Sequence, residues 1–468
     1  MVFTRDLRVR DNPALCAALR AGDGVLPLFV LDPVMLGAAD PGGGPVERTP
    51  TPLARPAVNP PCPNRTAFLA DCLRDLDASL HRLGSRLVLR HGDWVHEVLR
   101  AARHSGATTV HLAADVSLHA RRRVERLRRE AGTCRVGVVE HPGVTVVPPA
   151  GIAPAGRSAF AVFTPYHRAW ERARRRAALP VPEHLGPPPG DPTGTRRARQ
   201  VLDEWSPGAR RPAELRPGGE GAGRERLRTW TRDHLAAYEL ARDDLAADAT
   251  SRISPYLHLG CLSPLEVADL TRDLPGGGAF TRQLCWRDFF HQVLAARPDT
   301  ARADHTDRNI PWSVDEEGYR AWAEGRTGLP LVDAGMRQLR REGFMHNRAR
   351  MVVASFLTKD LLVDWRRGAE HFRSLLLDGD VASNQLNWQW VAGTGTGNAL
   401  HRVLSPARQA RRFDPHGTYV RRYVPELADL PDRAVHDPDP AERRRRGYPE
   451  PIVDHAFAAR QFLSRVRR

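Results

Sequence analysis

Residues 378 to 390, DGDVASNQLNWQW, gather two carboxylates, four amides and two indoles into thirteen positions. Surface loops seldom carry two Trp, and core helices seldom hold Asp, Asn and Gln together. If the segment is helical after the DGD turn, Asp380, Asn384 and Trp388 fall at i, i+4 and i+8 in one column. Leu386 and Trp390 then lie on another face. A capped helix with two core Trp is the plainest reading. It leaves unexplained why the column is polar at two of its three positions.

Three further stretches carry chemistry-bearing side chains. In YELARDDLAADATSRISPYLHLGCLSP, Thr250, Ser251 and Ser254 place three hydroxyls within five residues, just before a helix start. Hydroxyls and free N–H groups at a helix N-terminus suit an anion, and Arg252 adds charge. Taken alone, the pattern favours a simple cap over an anion site. In QLCWRDFFHQV, Gln283 and Trp286 are i, i+3 on a helix and Phe290 continues the face. An amide beside an aromatic ring can read a base edge and stack on it, although an aromatic core with a boundary Gln explains the stretch as well. In GFMHNRARMVVASF, Asn347 and Met351 share one face and His346 and Arg350 the next.

The elements that must position these groups are legible in outline. GVLPLFVLD, SRLVLRHGD, ATTVHLAAD and CRVGVVEH are strand-like runs alternating with helical ones, and MVFTRDL reads as a first strand, so a true start slightly upstream is the expectation. Phe68, Cys72, Leu76, Leu80 and Leu83 mark one face of a helix that follows a Gly/Pro-rich loop from about residue 37 to 63. Alternation of this kind predicts a doubly wound parallel α/β sheet in residues 1–147. Residues 148–223 read as a Pro/Gly-rich connection, in which SAFAVFTPYHRAWERARRRA is a helix docked on the next domain. From 224 to 468 the signals are helical nearly throughout, giving an all-α domain.

Composition narrows the function classes. The chain has 468 residues, 41% of them hydrophobic, which supports two or three packed domains. No apolar run is long enough for a membrane span, and the charged start is no signal peptide, so a cytoplasmic protein is expected. The cysteines Cys16, Cys62, Cys72, Cys134, Cys261 and Cys285 are scattered, indicating neither disulfides nor a metal site. The net charge of +15 suggests a polyanionic partner such as nucleic acid. Nearly all of that charge is arginine, Lys359 being the one lysine, and runs such as AERRRRGYPE read equally as solvated faces.

Together, MVFTRDLRVRDNPAL, TSRISPYLHLGCLSP, WRDFF, TGLPLVDAGMRQL, MHNRARM, SFLTKDLLVDW, DGDVASNQLNWQW and RFDPHGTYVRRYVPEL resemble the photolyase/cryptochrome family, in the pattern of the class I cyclobutane pyrimidine dimer photolyases. The resemblance runs in unbroken order from Met1 almost to the C-terminus. It implies FAD held in a U-shape in the helical domain. Tyr238 and Thr250, Ser251, Arg252, Ile253 and Ser254 would hold its phosphate and ribityl side, with Phe280 lining the pocket. Asp378, Gly379 and Asp380 would face the cofactor, Arg350 would pair with Asp378, and Asn384 would sit beside the flavin. Trp388, Trp365 and Trp312 would carry electrons to an oxidised flavin. Trp286 and Trp390 would sandwich a flipped-out lesion lined by Gln283, Asn347 and Met351, while Arg242, Arg348 and Arg402 contact DNA phosphates. The implied reaction is light-driven repair of ultraviolet-damaged DNA by a monomer, one electron passing from excited reduced FAD to the dimer and back. A second, antenna chromophore of folate or 8-hydroxy-5-deazaflavin type is also implied.

Two departures stand out. Gln283 occupies a position where dimer photolyases usually have Glu and (6-4) photolyases and animal cryptochromes have Gln. TGTGNALHRVLSP lacks the family's usual Asp after TGT and Asn before Pro. A (6-4) photolyase or a cryptochrome-type blue-light receptor is the alternative, although the paired histidines of the (6-4) subgroup are replaced here by Asn347 and Met351.

Overall fold

A computed structural model describes residues 1–22, 24–32, 62–190, 196–205, 214–397 and 400–466. Most of the loop expected from about 37 to 63 lies outside these residues. Pro63 does not belong to that loop: it opens a helix, the position where its missing N–H costs nothing.

The amino-terminal part carries four strands, β1 (Leu28–Leu31), β2 (Val88–His91), β3 (Thr109–Ala113) and β4 (Gly137–His141). Its helices are α1 (Pro13–Ala21), α2 (Pro63–Arg82), α3 (Trp94–Ser105) and α4 (Leu118–Thr133). β1 pairs with β2 and β3 with β4, both parallel. Val2 bridges the two pairs, parallel to Leu28 on one side and Leu112 on the other, so the chain starts at the centre of the sheet. The first strand expected from MVFTRDL contributes little more than this residue. Asp6, 1% exposed, takes the Thr4 N–H on its carboxylate at 2.8 Å and turns the chain out of the ladder. β1 is buried along its whole length, as a strand covered by helices on both faces must be. The face expected on α2 is the face it buries: Phe68, Cys72, Leu76 and Leu80 are in the core, with Leu83 just beyond.

The connection is more ordered than its Pro/Gly texture suggests. It contains α5 (Phe163–Arg172) and α6 (Arg196–Glu204), which buries Ala198, Val201 and Leu202. The rest of the chain is helical: α7 (Glu220–His234), α8 (Tyr238–Ala241), α9 (Ser254–His258), α10 (Pro264–Thr271), α11 (Gly277–Ala296), α12 (Glu316–Glu324), α13 (Pro330–Glu342), α14 (Asn347–Ser355), α15 (Trp365–Leu375), α16 (Val381–Ala392), α17 (Pro406–Phe413), α18 (Thr418–Tyr423), α19 (Pro440–Arg446) and α20 (His455–Arg465). One apolar core runs from Met1, Phe3 and Leu7 through α2 into Phe280, Leu284 and Leu386, so the two ends of the chain share an interior. A second core lies wholly in the helical part, around Trp322, Trp365 and Trp388.

Candidate functional site

The opening segment forms α16, with Asp380 as its N-cap. Asp380 Oδ1 accepts the Ser383 N–H at 2.7 Å, satisfying one of the orphan donors of the first turn. Its other oxygen meets the Arg5 guanidinium at 2.6 Å and stands 3.5 Å from His291 Nε2. Burial pushes the Asp380 carboxyl up, but His291, Arg5 and Arg287 outweigh it and hold the group well below the usual carboxylate range. Arg5 also binds Asp115 at 3.0 Å and the His258 carbonyl oxygen at 3.1 Å. Arg5 and Asp115 follow the carboxyl ends of adjacent strands, so the crevice of the sheet is tied directly to the start of α16.

The four amides of the segment divide their work. Gln385 and Gln389 donate to the carbonyls of Ala301, Thr300 and Ala303, and Gln389 accepts the His305 N–H, stapling residues 300–305 to α16. Asn387 folds back on Ser383. Asn384, 8% exposed, spends both amide hydrogens on Ala369 O at 2.9 Å and Gln385 Oε1 at 2.6 Å, leaving its carbonyl oxygen to accept. Part of the polarity that stood out in the sequence is therefore structural, and Asn384 is the amide with acceptor capacity to spare. Gly393 closes the helix at φ 92°, where a Cβ would lie 2.7 Å from Leu400 Cα.

Asp378 receives Arg350 Nη2 at 2.9 Å, the pairing expected. Tyr238 and Phe280 are buried edge-to-face at 5.5 Å, both against Trp230. Trp230 had no sequence signal beyond its type; its indole N–H holds Ala249 O at 2.8 Å and so positions the segment that follows. In that segment the cap reading fails. The N-cap of α9 is Ile253, with no side-chain cap bond, so neither Thr250 nor Ser251 spends its hydroxyl there. Thr250 Oγ1 is buried without a partner. Arg252 does not offer a free charge: it sits at φ 52° and meets Asp248 and Glu342, each at 2.7 Å. Glu342 is 2% exposed, and a buried carboxylate requires such a partner. His258 was also missed. Its Nδ1 is buried and unpartnered, and burial and Arg5 push its pKa down to about 3.

Trp388 lies edge-on to Phe372 at 4.9 Å and Trp322 at 6.0 Å. Its indole occupies a cradle at Gly368, where a Cβ would come within 2.3 Å of Cη2. Trp365 is fully buried and donates to Asp304 at 2.8 Å, and Trp312 is half-buried at the edge of the same core.

α16, which carries Trp390, packs against both α11, which carries Gln283 and Trp286, and α14, which carries Asn347 and Met351. Gln283 and Asn347 are exposed, and Trp286, Met351 and Trp390 half-buried. Trp286 is already stacked on one side, by Phe163 of α5 at 3.6 Å and 2° between planes. α5 thus docks on the helical part as expected, with Trp170 donating to Asp288 at 2.9 Å. Arg402 is exposed and Arg242 half-exposed. Arg348 is less available: it pairs with Asp243 at 2.8 Å and lies over the Phe413 ring.

Residues 1–185 match the DNA photolyase family, and residues 280–468 the FAD binding domain of DNA photolyase. A deoxyribodipyrimidine photo-lyase of Streptomyces griseus is 47% identical over 99% of this chain and 97% of its own length. The chain belongs to the photolyase/cryptochrome family. A cryptochrome DASH of Gloeobacter violaceus is 35% identical over 97% of this chain and 92% of its own. Among solved structures, a bacterial class III photolyase from Agrobacterium tumefaciens superposes with a TM-score of 0.86 at 32% identity, covering 100% of this chain and 96% of that one. An archaeal photolyase from Sulfolobus tokodaii, described with two FAD molecules, gives 0.82 at 28%, covering 100% and 98%. A flavin-dinucleotide domain fits the residues present: the unpartnered Thr250 hydroxyl and the open carbonyl of Asn384 are polar groups that a buried polar ligand would satisfy. Among the described residues no helix is long and apolar enough to cross a membrane.

Proposed function

We propose that this protein repairs cyclobutane pyrimidine dimers in DNA in a light-driven, carbon–carbon lyase reaction, acting as a cytoplasmic monomer on ultraviolet-damaged strands. The observation that carries this reading is the packing of α16, which bears the half-buried Trp390, against both α11, which bears the half-buried Trp286 and the exposed Gln283, and α14, which bears the exposed Asn347 and the half-buried Met351. Two flat aromatic walls and a few amide donors suit a pair of pyrimidine rings turned out of a duplex. Phe163, stacked on Trp286, stiffens that wall. When bound, reduced FAD would supply the excited electron that opens the cyclobutane ring and recovers it, with no net redox change. Around it, Thr250, Ser251 and Ser254 offer hydroxyls, Tyr238 and Phe280 a buried aromatic floor, and the Arg350–Asp378 pair and Gly379 a charged rim. Arg252 and Ile253 hold the shape of that segment. Asn384 presents an acceptor oxygen, a group suited to an N–H donor. Trp388, Trp365 and Trp312 form the relay that returns an oxidised cofactor to use. Arg402 and Arg242, with Arg348 partly neutralised, meet the phosphates, which makes binding salt-dependent and indifferent to sequence.

Residues 1–147 would carry an antenna pigment, 148–223 the connection and 224–468 the catalytic domain. The pigment is of folate or 8-hydroxy-5-deazaflavin type, and the second flavin named for the Sulfolobus tokodaii protein offers a third possibility. An absorption spectrum of the purified protein distinguishes these.

The test is loss of dimers from ultraviolet-irradiated oligothymidine under blue light with reductant. Intact dimers after illumination, with FAD bound, refute the proposal. Gln283 supports a second reading, a (6-4) photolyase or blue-light receptor, which predicts repair of (6-4) products or of neither lesion.

A further inference from the structure

The single lysine of the chain, Lys359, is 1% exposed. Lysine is seldom fully buried without partners. It lies on one π-helical turn, Phe356–Asp360, that continues α14. Such turns recur at functional sites. The ammonium donates to the main-chain oxygens of Leu400 at 3.2 Å and Arg402 at 2.8 Å, and lies 5.6 Å from the ring centre of Phe462 on α20. Its neighbour Asp360 pairs with His455 at the start of α20. Beneath the same loop, Leu400, Leu362, Ile310 and Phe462 form a small apolar cluster with Trp312 against it. The side chains of His401 and Arg402 remain exposed above.

We infer that Lys359 is a positioning residue for the substrate-facing loop, fixing the Leu400–Arg402 main chain so that the Arg402 guanidinium meets a DNA phosphate. The inference rests on the role proposed above for Arg402. A buried ammonium does not itself reach a phosphate; it acts by holding two carbonyls in register, and a charge-assisted bond is about twice as strong as a neutral one. Among the described residues, the charged and titratable groups on the elements around it include Asp360 on its own turn, His455 on α20, and His401 and Arg402 on the loop. Burial and Arg402, opposed by Asp360, together push the Lys359 pKa down to about 7. A phosphate on Arg402 cancels part of that push. DNA binding then draws a proton onto Lys359, and affinity falls as pH rises through about 7.

The test is binding of ultraviolet-irradiated oligothymidine to the full-length, FAD-loaded protein across a salt series. Arg402→Ala is expected to reduce the slope of log K against log salt by about 0.7, the loss of one phosphate contact on a single strand. Lys359→Met removes no exposed charge, yet it is expected to reduce the slope by the same amount of about 0.7, with the double variant falling no further. A wild-type slope in Lys359→Met beside a reduced slope in Arg402→Ala overturns the inference. A wild-type slope in Arg402→Ala instead refutes the assignment of Arg402. Lys359→Arg keeps a cation that does not titrate and guards against misfolding of the Met variant. Between about pH 6 and pH 8 the wild type is expected to lose several-fold in affinity that Lys359→Arg retains, and equal pH dependence in the two overturns the inference.

Discussion

Arg5→Ala removes a cation shared by two buried carboxylates. Asp115 and Asp380 are 13% and 6% exposed at the side chain, with Arg5 at 3.0 and 2.6 Å. Breaking a buried pair by deleting one partner costs about 3–5 kcal/mol, because an uncompensated charge remains. The pH dependence gives a second check. Burial raises the Asp115 carboxyl, but Arg5 and the Ser117 N–H outweigh it and bring the pKa from 3.8 to about 2. A folded pKa below the unfolded one contributes stability that is present above the unfolded value and is lost as pH falls through about 2. The difference is worth about 2 kcal/mol at neutral pH. Without Arg5 only the Ser117 N–H opposes burial at Asp115 and its pKa rises, while Asp380 keeps His291 and Arg287, so the orphaned Asp115 carboxylate takes up a proton at a higher pH than in wild type and the cost is relieved on acidification. For a chain of 468 residues the unfolding entropy is about 1 kcal/mol per kelvin, so the melting temperature should drop by about 3–5 °C at pH 7. Differential scanning fluorimetry of wild type and variant at a series of pH values measures this. A drop under about 1 °C at pH 7, or one that does not narrow on acidification, refutes the argument.

Three other outcomes are expected. Trp388→Phe should block photoreduction of oxidised flavin while pre-reduced enzyme still repairs; equal photoreduction in variant and wild type removes Trp388 from the relay. Gly368→Ala sets a Cβ within 2.3 Å of the Trp388 indole, so it should cost about 1–3 kcal/mol through overpacking and slow photoreduction. Unchanged melting and photoreduction would show that the cradle yields. Gln283→Glu should raise the quantum yield of dimer repair, and an unchanged or lower yield would mean that Gln is a working substitute.

Helical columns and the alternating strands were readable because they follow from backbone geometry over a few residues. The face of α2 is buried where periodicity puts it, α16 is helical after the DGD turn, and a helix at 163–172 forms within the stretch expected to dock. The thirteen-residue segment also kept its polar–aromatic character, but half its meaning was hidden. Gln385 and Gln389 are indistinguishable in sequence from ligand-binding amides, and they became staples because residues 300–305 pass beside α16. The same holds for Arg252, whose partner Glu342 lies ninety residues away, and for the hydroxyls of Thr250 and Ser251, which look like caps until Ile253 takes that position.

Sequence alone determined the order of elements, the side chains that share a helix face, and the concentration of polar and aromatic groups in the carboxy-terminal half. These are local consequences of a 3.6-residue or two-residue repeat. Tertiary structure decided which charges are spent and which remain. Arg5 reaches Asp380 across 375 positions, Phe163 covers one face of Trp286, and Lys359 is buried under a loop some forty residues further on. A charge or ring has the same local signature whichever partner it meets. Only the return of distant chain supplies that partner, and so sets whether the group is a strut or a site.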